Sequence, residues 1–259
     1  MNRSVLGQAL RGLAFSAAVL MGSNAAHASS FSVNPVRITL SAKQPVAAIT
    51  VRNADSEQTV VQLEATAWTQ VDGKDVQVVS NDLLATPPIF TLKPGGSQIV
   101  RVGLRGARNV PGEVTYRLSL REVPSSQPST TGLRVALRIS MPIFVVPATP
   151  VGPDIKWRVT REEEGKVRVT ATNTGTAHVQ LGKLDLLADG TVVGTRSIAE
   201  YVLPGNARYW TLETHGKLAT GAKVRISTSS DAGPLQADVP LEIDTASNES
   251  AATPALASR

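Results

Sequence analysis

The sequence predicts an all-β protein with two β-sandwich domains, and three observations carry this prediction. Apolar and polar residues alternate in short segments such as 60–68, 97–104 and 115–120, as they do along strands that bury one face. Turn residues, including Asp72-Gly73, separate these segments at regular intervals. No long stretch has the period of an amphipathic helix, so short antiparallel strands are expected throughout.

A proline-rich segment between Pro147 and Pro153 divides the strands into two series. Proline cannot donate to a sheet ladder and stiffens a linker, so we place a domain boundary there. We predict a first domain over 29–147, a linker over 148–153, a second domain over 154–244 and a disordered tail over 245–259. The tail is rich in Ala, Ser, Thr and Pro, a composition that cannot build a core.

Two short patterns occur in both halves of the chain. A strand ends at Asn53 in the first half and at Asn173 in the second. Each is followed later by a similar turn, Leu92-Lys93-Pro94-Gly95 and Val202-Leu203-Pro204-Gly205. This repetition indicates two related sandwiches.

The first residues have the three parts of a secretory signal peptide. Arg3 and Arg11 supply positive charge, residues 13–21 form a short apolar core, and Ala26-His27-Ala28 is an A-x-A cleavage site. The apolar core is shorter than the ~20 residues of a membrane span. Residues 1–28 are therefore predicted to be removed, which leaves an exported chain in the periplasm.

Composition argues against several classes of function. Without residues 1–28 the chain has 26 − 2 = 24 Lys and Arg against 21 Asp and Glu, a net charge of +3, too small and scattered to predict nucleic-acid binding. No later apolar run has membrane length, so no stable membrane insertion is expected. There is no cysteine, which excludes disulfides, a thiol nucleophile and thiolate metal sites.

The sequence has no recognisable catalytic pattern. His178 and His215 have no second histidine at metal-ligand spacing, and the nucleophile-elbow, Walker and dinucleotide-binding motifs are missing. We therefore predict no enzyme activity, no catalytic residues, no metal and no cofactor.

Four segments in order resemble one protein family. In chain order they are residues 32–37 (SVNPVR), 84–101 (LATPPIFTLKPGGSQIVR), 116–124 (YRLSLREVP) and 133–147. They resemble segments of the periplasmic pilus-assembly chaperones of the chaperone–usher pathway, the PapD-like family. Parts of 96–105 and 144–147 look more like the branch that serves spore-coat-U-like pilins. The resemblance covers most of residues 31–147, and the second domain fits mainly by length and pattern.

The resemblance implies two immunoglobulin-like sandwiches set at an angle with a binding cleft between them. It also implies donor-strand complementation, in which the chaperone lends a strand to a pilus subunit that lacks one, and an outer-membrane usher then receives the subunit. Pilus subunits and the usher are therefore the expected partners.

The family's donor strand matches an alternating segment of this chain. Its apolar residues share one face of a strand and therefore need an apolar partner; they are Leu133, Val135, Leu137, Ile139 and Met141. From the residues alone, that partner is either a subunit groove or the protein's own core. The sequence also leaves open whether the free protein covers this apolar face by associating with a second copy of itself.

The resemblance also implies a cation pair that binds the terminal carboxylate of the subunit. The family's first-strand arginine corresponds to Arg37, whereas the family's lysine position is occupied by Pro142. Other arginines on predicted strands of the first domain include Arg101, Arg117, Arg134 and Arg138. We take Arg101, within the apolar strand 97–104, as the replacement cation, with an internal salt bridge as its alternative role.

Two other classes of function make different demands on the sequence. A structural surface protein, such as a pilin or adhesin module, would show an incomplete domain after an extra alternating N-terminal arm, and two domains are expected here. An enzyme on a β-sandwich scaffold would need a constellation of His, carboxylate or nucleophile side chains, and none is visible.

The first testable prediction concerns export. We expect the exported protein to begin near Ser29, because Ala26-His27-Ala28 provides the cleavage signal. Mass spectrometry of the periplasmic fraction measures this directly. A protein that keeps Met1 to Ala28 would contradict it.

Overall fold

The computed structural model describes residues 31–106, 110–124, 135–163, 165–216 and 218–243. The predicted signal peptide, the predicted tail and Leu133 lie outside the described residues. Within that part of the chain all regular structure is β-strand, which confirms the all-β prediction. No helix there is long and apolar enough to cross a membrane.

The first core is enclosed by ten strands in two sheets. They are β1 (Phe31–Asn34), β2 (Ile38–Ser41), β3 (Val46–Asn53), β4 (Thr59–Val71), β5 (Lys74–Val79), β6 (Leu83–Thr86), β7 (Ile89–Leu92), β8 (Ser97–Leu104), β9 (Val114–Val123) and β10 (Arg138–Val146). One sheet has the order β1-β3-β8-β6. The other has the order β2-β10-β9-β4-β5, with β7 also paired to β4. Alternate residues of both sheets, such as Val100, Val102, Leu118 and Leu120, are buried between them.

The second core is enclosed by seven strands. They are β11 (Ile155–Glu163), β12 (Lys166–Asn173), β13 (Val179–Ala188), β14 (Thr191–Val202), β15 (Ala207–Glu213), β16 (Lys223–Ser230) and β17 (Leu235–Ile243). Their hydrogen-bonded order is β14-β13-β16-β17-β11-β12-β15. Residues such as Val169, Leu184 and Trp210 pack in this core. Residues 147–154 connect the two cores without strand structure.

The repeated asparagines make the same hydrogen bonds in both domains. Asn53 is fully buried, and its Nδ2 donates to the carbonyls of Glu57 (2.6 Å) and Leu92 (3.3 Å).

Asn173 is also fully buried, and its Nδ2 donates to the carbonyls of Ala177 (2.8 Å) and Val202 (3.0 Å). In each domain the Oδ1 accepts a backbone N–H two residues on, from Asp55 or Gly175. The repeated sequence pattern therefore marks a side chain that joins one strand end to a distant turn.

The second testable prediction is that Asn173→Ala destabilises the protein. The substitution leaves buried carbonyls without donors, each of which costs about 1–3 kcal/mol. We therefore expect the free energy of unfolding to fall by about 2–4 kcal/mol in urea titration. Asn81→Ala, at an exposed position, is the matched control and should change little. Equal stabilities of the two variants would refute this role for Asn173.

Candidate functional site

Strand β10 is paired differently along its length. It pairs antiparallel with β9 from Arg138 to Val145. It pairs parallel with β2 only from Ile143 onward, where Ile143 lies opposite Ile38. In the described part of the chain, residues 138–142 therefore have a hydrogen-bonded neighbour on one side only. This open edge is the feature from which the site is built.

The residues of the predicted donor strand lie in three environments. Val135 is 58% exposed, and Leu137 and Ile139 are half-buried against the first core. Met141 is 2% exposed and belongs to that core. The apolar face thus passes from solvent into the protein's own interior along one strand.

Glu122 fixes the start of this strand. Its backbone N–H donates to the carbonyl of Leu137 (2.9 Å), and its Oε2 accepts the backbone N–H of Leu137 (3.0 Å). The segment before β10 is therefore held against the end of β9 while Val135 remains in solvent.

Arg37 lies where the open edge ends. It directly precedes β2, and the parallel register places it beside Pro142, the residue before Ile143. Its Nη1 donates to Asp231 Oδ2 of the second domain (2.9 Å). Arg37 also lies close enough to Tyr201 for its charge to act on the hydroxyl of that side chain. Arg37 therefore connects the first domain to the second at the end of the unpaired edge.

The structure brings a second arginine to the same place. Arg117 of β9 is the cross-strand partner of Pro142, and its guanidinium lies 3.8 Å from the ring centre of Trp68 and 5.9 Å from that of Tyr201. Sequence reasoning named Arg117 among the arginines on strands of the first domain but preferred Arg101 as the second cation. Its only signal is its position opposite Pro142, which requires the register of β9 and β10.

Burial leaves the Arg117 guanidinium with a hydrogen-bond donor that has no acceptor. Its side chain is 16% exposed, and its nearest carboxylate oxygen is Asp75 Oδ2 at 3.9 Å. Burial lowers the pKa of the Arg117 guanidinium, against the opposing effect of Asp75. Within the described residues, the buried Arg117 Nε and Trp68 Nε1 have no hydrogen-bond partner. A buried cation with an unused donor favours binding of an anion.

Tyr201 stands between the two arginines. Burial raises the pKa of its hydroxyl, whereas the charge of Arg37 acts in the opposite direction. Its ring contacts Trp68 edge-on, with centroids 5.5 Å apart. Both rings lie against the guanidinium group of Arg117 and cover one side of it.

The two domains meet beside these arginines through an apolar cluster. Trp68 and Phe144 of the first domain pack with Leu203 and Tyr201 of the second. Gln70 donates to the Tyr201 carbonyl (2.8 Å) and accepts the Leu203 N–H (3.0 Å). These contacts fix the orientation of the domains at the base of the cleft.

A second group of interdomain contacts involves His178. Its ring stacks on Phe144 with centroids 3.5 Å apart, and its Nδ1 lies 2.8 Å from Glu113 Oε1. Its Nε2 lies 3.6 Å from Asp231 Oδ2. Sequence reasoning treated His178 only as a lone histidine without metal spacing.

Arg101 has a different location. It lies on β8 in the four-stranded sheet, opposite Ala48 and Thr86, and it is exposed while Val100 and Val102 are buried. The structure does not bring it together with Arg37, which precedes β2 of the other sheet. No metal-binding group of three or more His, Asp or Glu residues is found in the described ranges.

Comparison with known proteins yields one family and a set of similar structures. Residues 30–150 match the sequence model of "Pili and flagellar-assembly chaperone, PapD N-terminal domain". A curated relative, the uncharacterized fimbrial chaperone YcbF of Escherichia coli strain K12, is 27% identical over 156 residues. That match covers 58% of this chain and 64% of the relative.

Solved structures of pilus chaperones share the fold. The CsuC–CsuE chaperone–tip adhesion subunit complex of Acinetobacter baumannii contains a chain with TM-score 0.59 and 19% identity, matched over 83% of this chain and 99% of its own. The E. coli chaperone DraB gives TM-score 0.57 and 19% identity over 84% and 98%.

The Salmonella enterica SafA pilin–SafB chaperone complex gives TM-score 0.57 and 18% identity over 83% and 99%. These likenesses confirm the two-domain immunoglobulin-like architecture. The match of residues 30–150 to the PapD N-terminal domain model confirms the resemblance seen in the sequence to the pilus-assembly chaperones.

Proposed function

We propose that this protein is a periplasmic chaperone that binds and caps pilus subunits by strand donation and delivers them to an outer-membrane usher. One observation carries the proposal: the unpaired edge of β10 has an apolar face and ends beside Arg37. The family works in the periplasm, and its members are chaperones, which fits the predicted signal peptide.

The first step is the addition of a subunit strand to β10. Residues 138–142 offer backbone groups on the edge that β2 leaves free, and an added strand gains its hold from such groups. Val135, Leu137 and Ile139, with Leu133 before them, then fill the open groove of the subunit. Full burial of an exposed apolar side chain such as Val135 contributes about 1.5–3 kcal/mol, before the cost of association. Leu137 and Ile139 contribute less, because they are already half-buried in the free protein.

Met141 has a separate part in this proposal. Because it already packs in the first core, it anchors the strand rather than entering the subunit. The donated side chains therefore end at Ile139.

The charge at Arg37 selects the direction of the added strand. A strand parallel to β10 in line with β2 brings its C-terminal carboxylate to Arg37, whereas an antiparallel strand would bring another part of its chain there. Attraction between the carboxylate and guanidinium therefore favours parallel addition.

Arg117 is the second cation that we propose for this carboxylate. It lies across Pro142 from Arg37, is largely buried and has an unused Nε donor. Arg101 stays a prediction that no observed contact supports. A guanidinium on β9 thereby replaces the family's lysine, whose position on β10 is occupied by proline.

The third testable prediction compares two neighbouring substitutions before β10. We expect Val135→Glu to abolish protection of a co-expressed pilus subunit of the same cell, because a carboxylate would enter the apolar groove. Ala136→Glu, on the opposite face of the strand, should leave subunit yield nearly unchanged. Subunit recovered by affinity purification from the periplasm is the measurement.

These positions make the outcome interpretable. Val135 and Ala136 are exposed in the free protein, so thermal unfolding should be unchanged in both variants. Leu137 and Met141 contact the protein's own core, so charges there would also unfold the chaperone. Normal subunit recovery with Val135→Glu would argue against strand donation.

The fourth testable prediction concerns the carboxylate. Arg37→Ala should reduce subunit recovery at least tenfold, since charge-assisted hydrogen bonds contribute about 1.5–3 kcal/mol. Arg52→Ala, an exposed arginine on β3, is the control. A subunit extended by residues beyond its native C-terminus should bind wild-type protein as poorly as native subunit binds Arg37→Ala. Undiminished recovery with Arg37→Ala would exclude this anchor.

A further inference from the structure

Arg37 already holds a carboxylate in the free protein. Asp231, in the turn between β16 and β17, accepts its hydrogen bond at 2.9 Å across the domain boundary. Arg37 is 46% exposed and Asp231 is 26% exposed in their side chains. An ion pair this open to water contributes at most about 1 kcal/mol, so another carboxylate can replace Asp231 at small cost.

Asp231 is held in place independently of Arg37. Its Oδ1 accepts the backbone N–H of Gln180 at 2.9 Å, and its Oδ2 lies 3.6 Å from His178 Nε2. His178 is itself fixed by Glu113 and by stacking on Phe144. When Arg37 turns away, Asp231 therefore keeps two of its three polar neighbours within the second domain.

We propose that Asp231 is an internal stand-in for the terminal carboxylate of the subunit, and that the subunit carboxylate displaces it from Arg37. Asp231 thereby lowers the affinity of the site for a terminal carboxylate, which has to displace it. A terminal carboxylate, whose charge matches that of Asp231, replaces it, whereas a neutral terminus leaves the internal pair intact. This inference rests on the function proposed above. It identifies Asp231 as the residue that competes with the subunit carboxylate for Arg37.

Electrostatics gives the sign of the effect. While Asp231 remains beside Arg37, an arriving carboxylate meets a like charge as well as the guanidinium, and this repulsion weakens binding. Asp231→Asn removes the charge but keeps an oxygen that can accept the Gln180 N–H. The variant should therefore bind carboxylate-terminated strands more tightly without losing its local structure.

The experiment uses the full mature protein and a fluorescein-labelled synthetic peptide of alternating apolar and polar residues. The peptide is prepared with a free C-terminal carboxylate and as its C-terminal amide. Asp231→Asn should strengthen binding of the free acid about two- to fivefold, the range of an exposed ion pair. Binding of the amide should not change. Fluorescence anisotropy measures both dissociation constants.

Asp238→Asn is the charge-matched control, because Asp238 is a carboxylate of the second domain that pairs with Arg225 on the neighbouring strand. It should leave the acid-to-amide affinity ratio at the wild-type value. If Asp231 only orients the domains, its substitution would change both peptides equally, and the stand-in role would be overturned. Weaker binding of the acid would overturn it as well.

The outcomes separate this inference from the proposed function. Wild-type protein that binds neither peptide, or binds acid and amide equally, would contradict the carboxylate anchor itself. Selective binding of the acid by wild type, together with an unchanged ratio in Asp231→Asn, would leave the anchor standing and remove only the stand-in.

Discussion

The pairing of β2 with β10 is the constraint on which the site depends. Because β2 meets β10 only from Ile143 onward, one strand serves two purposes. Its C-terminal part closes the first core through Met141, Ile143 and Val145, and its N-terminal part keeps a free edge. An edge of this kind invites pairing with another chain, and here the stably packed part holds it in position. The stability of the first domain is thus what presents the edge.

The second domain contributes by covering one face of the sheet that carries this edge. Trp68, Phe144 and Arg117 would otherwise expose a large aromatic surface, and Leu203 and Tyr201 bury it. The same burial excludes water from Arg117 and leaves its Nε unpaired. A buried cation with an unpaired donor is unfavourable in isolation. The domain interface therefore leaves a positive charge beside Arg37 that a bound anion would stabilise. Architecture and binding chemistry are linked through this one surface.

Local signals explain which features could be predicted from sequence. Alternation and turn residues predict the strands, and the paired asparagines predict related domains, because each signal acts over a few residues. The burial of Met141 could not be separated from donation, since a period of two places core-facing and partner-facing residues on the same side. Arg117 and His178 required long-range information: Arg117 is recognised through its cross-strand partner Pro142, and the neighbours of His178 come from distant segments.

In the proposed function, the terminal carboxylate of the subunit and the alternating apolar face of the donor strand have complementary roles. Backbone pairing along an open edge is insensitive to sequence, and a slip of one residue would turn every apolar side chain of an added strand to the wrong face. A single charge at the end of the edge removes this freedom, because it fixes where the added strand must stop. The distance from Arg37 along β10 then determines which residues of the incoming strand face Ile139 and Leu137. In the proposed complex, one electrostatic contact therefore sets the register, and backbone pairing and apolar burial supply the affinity.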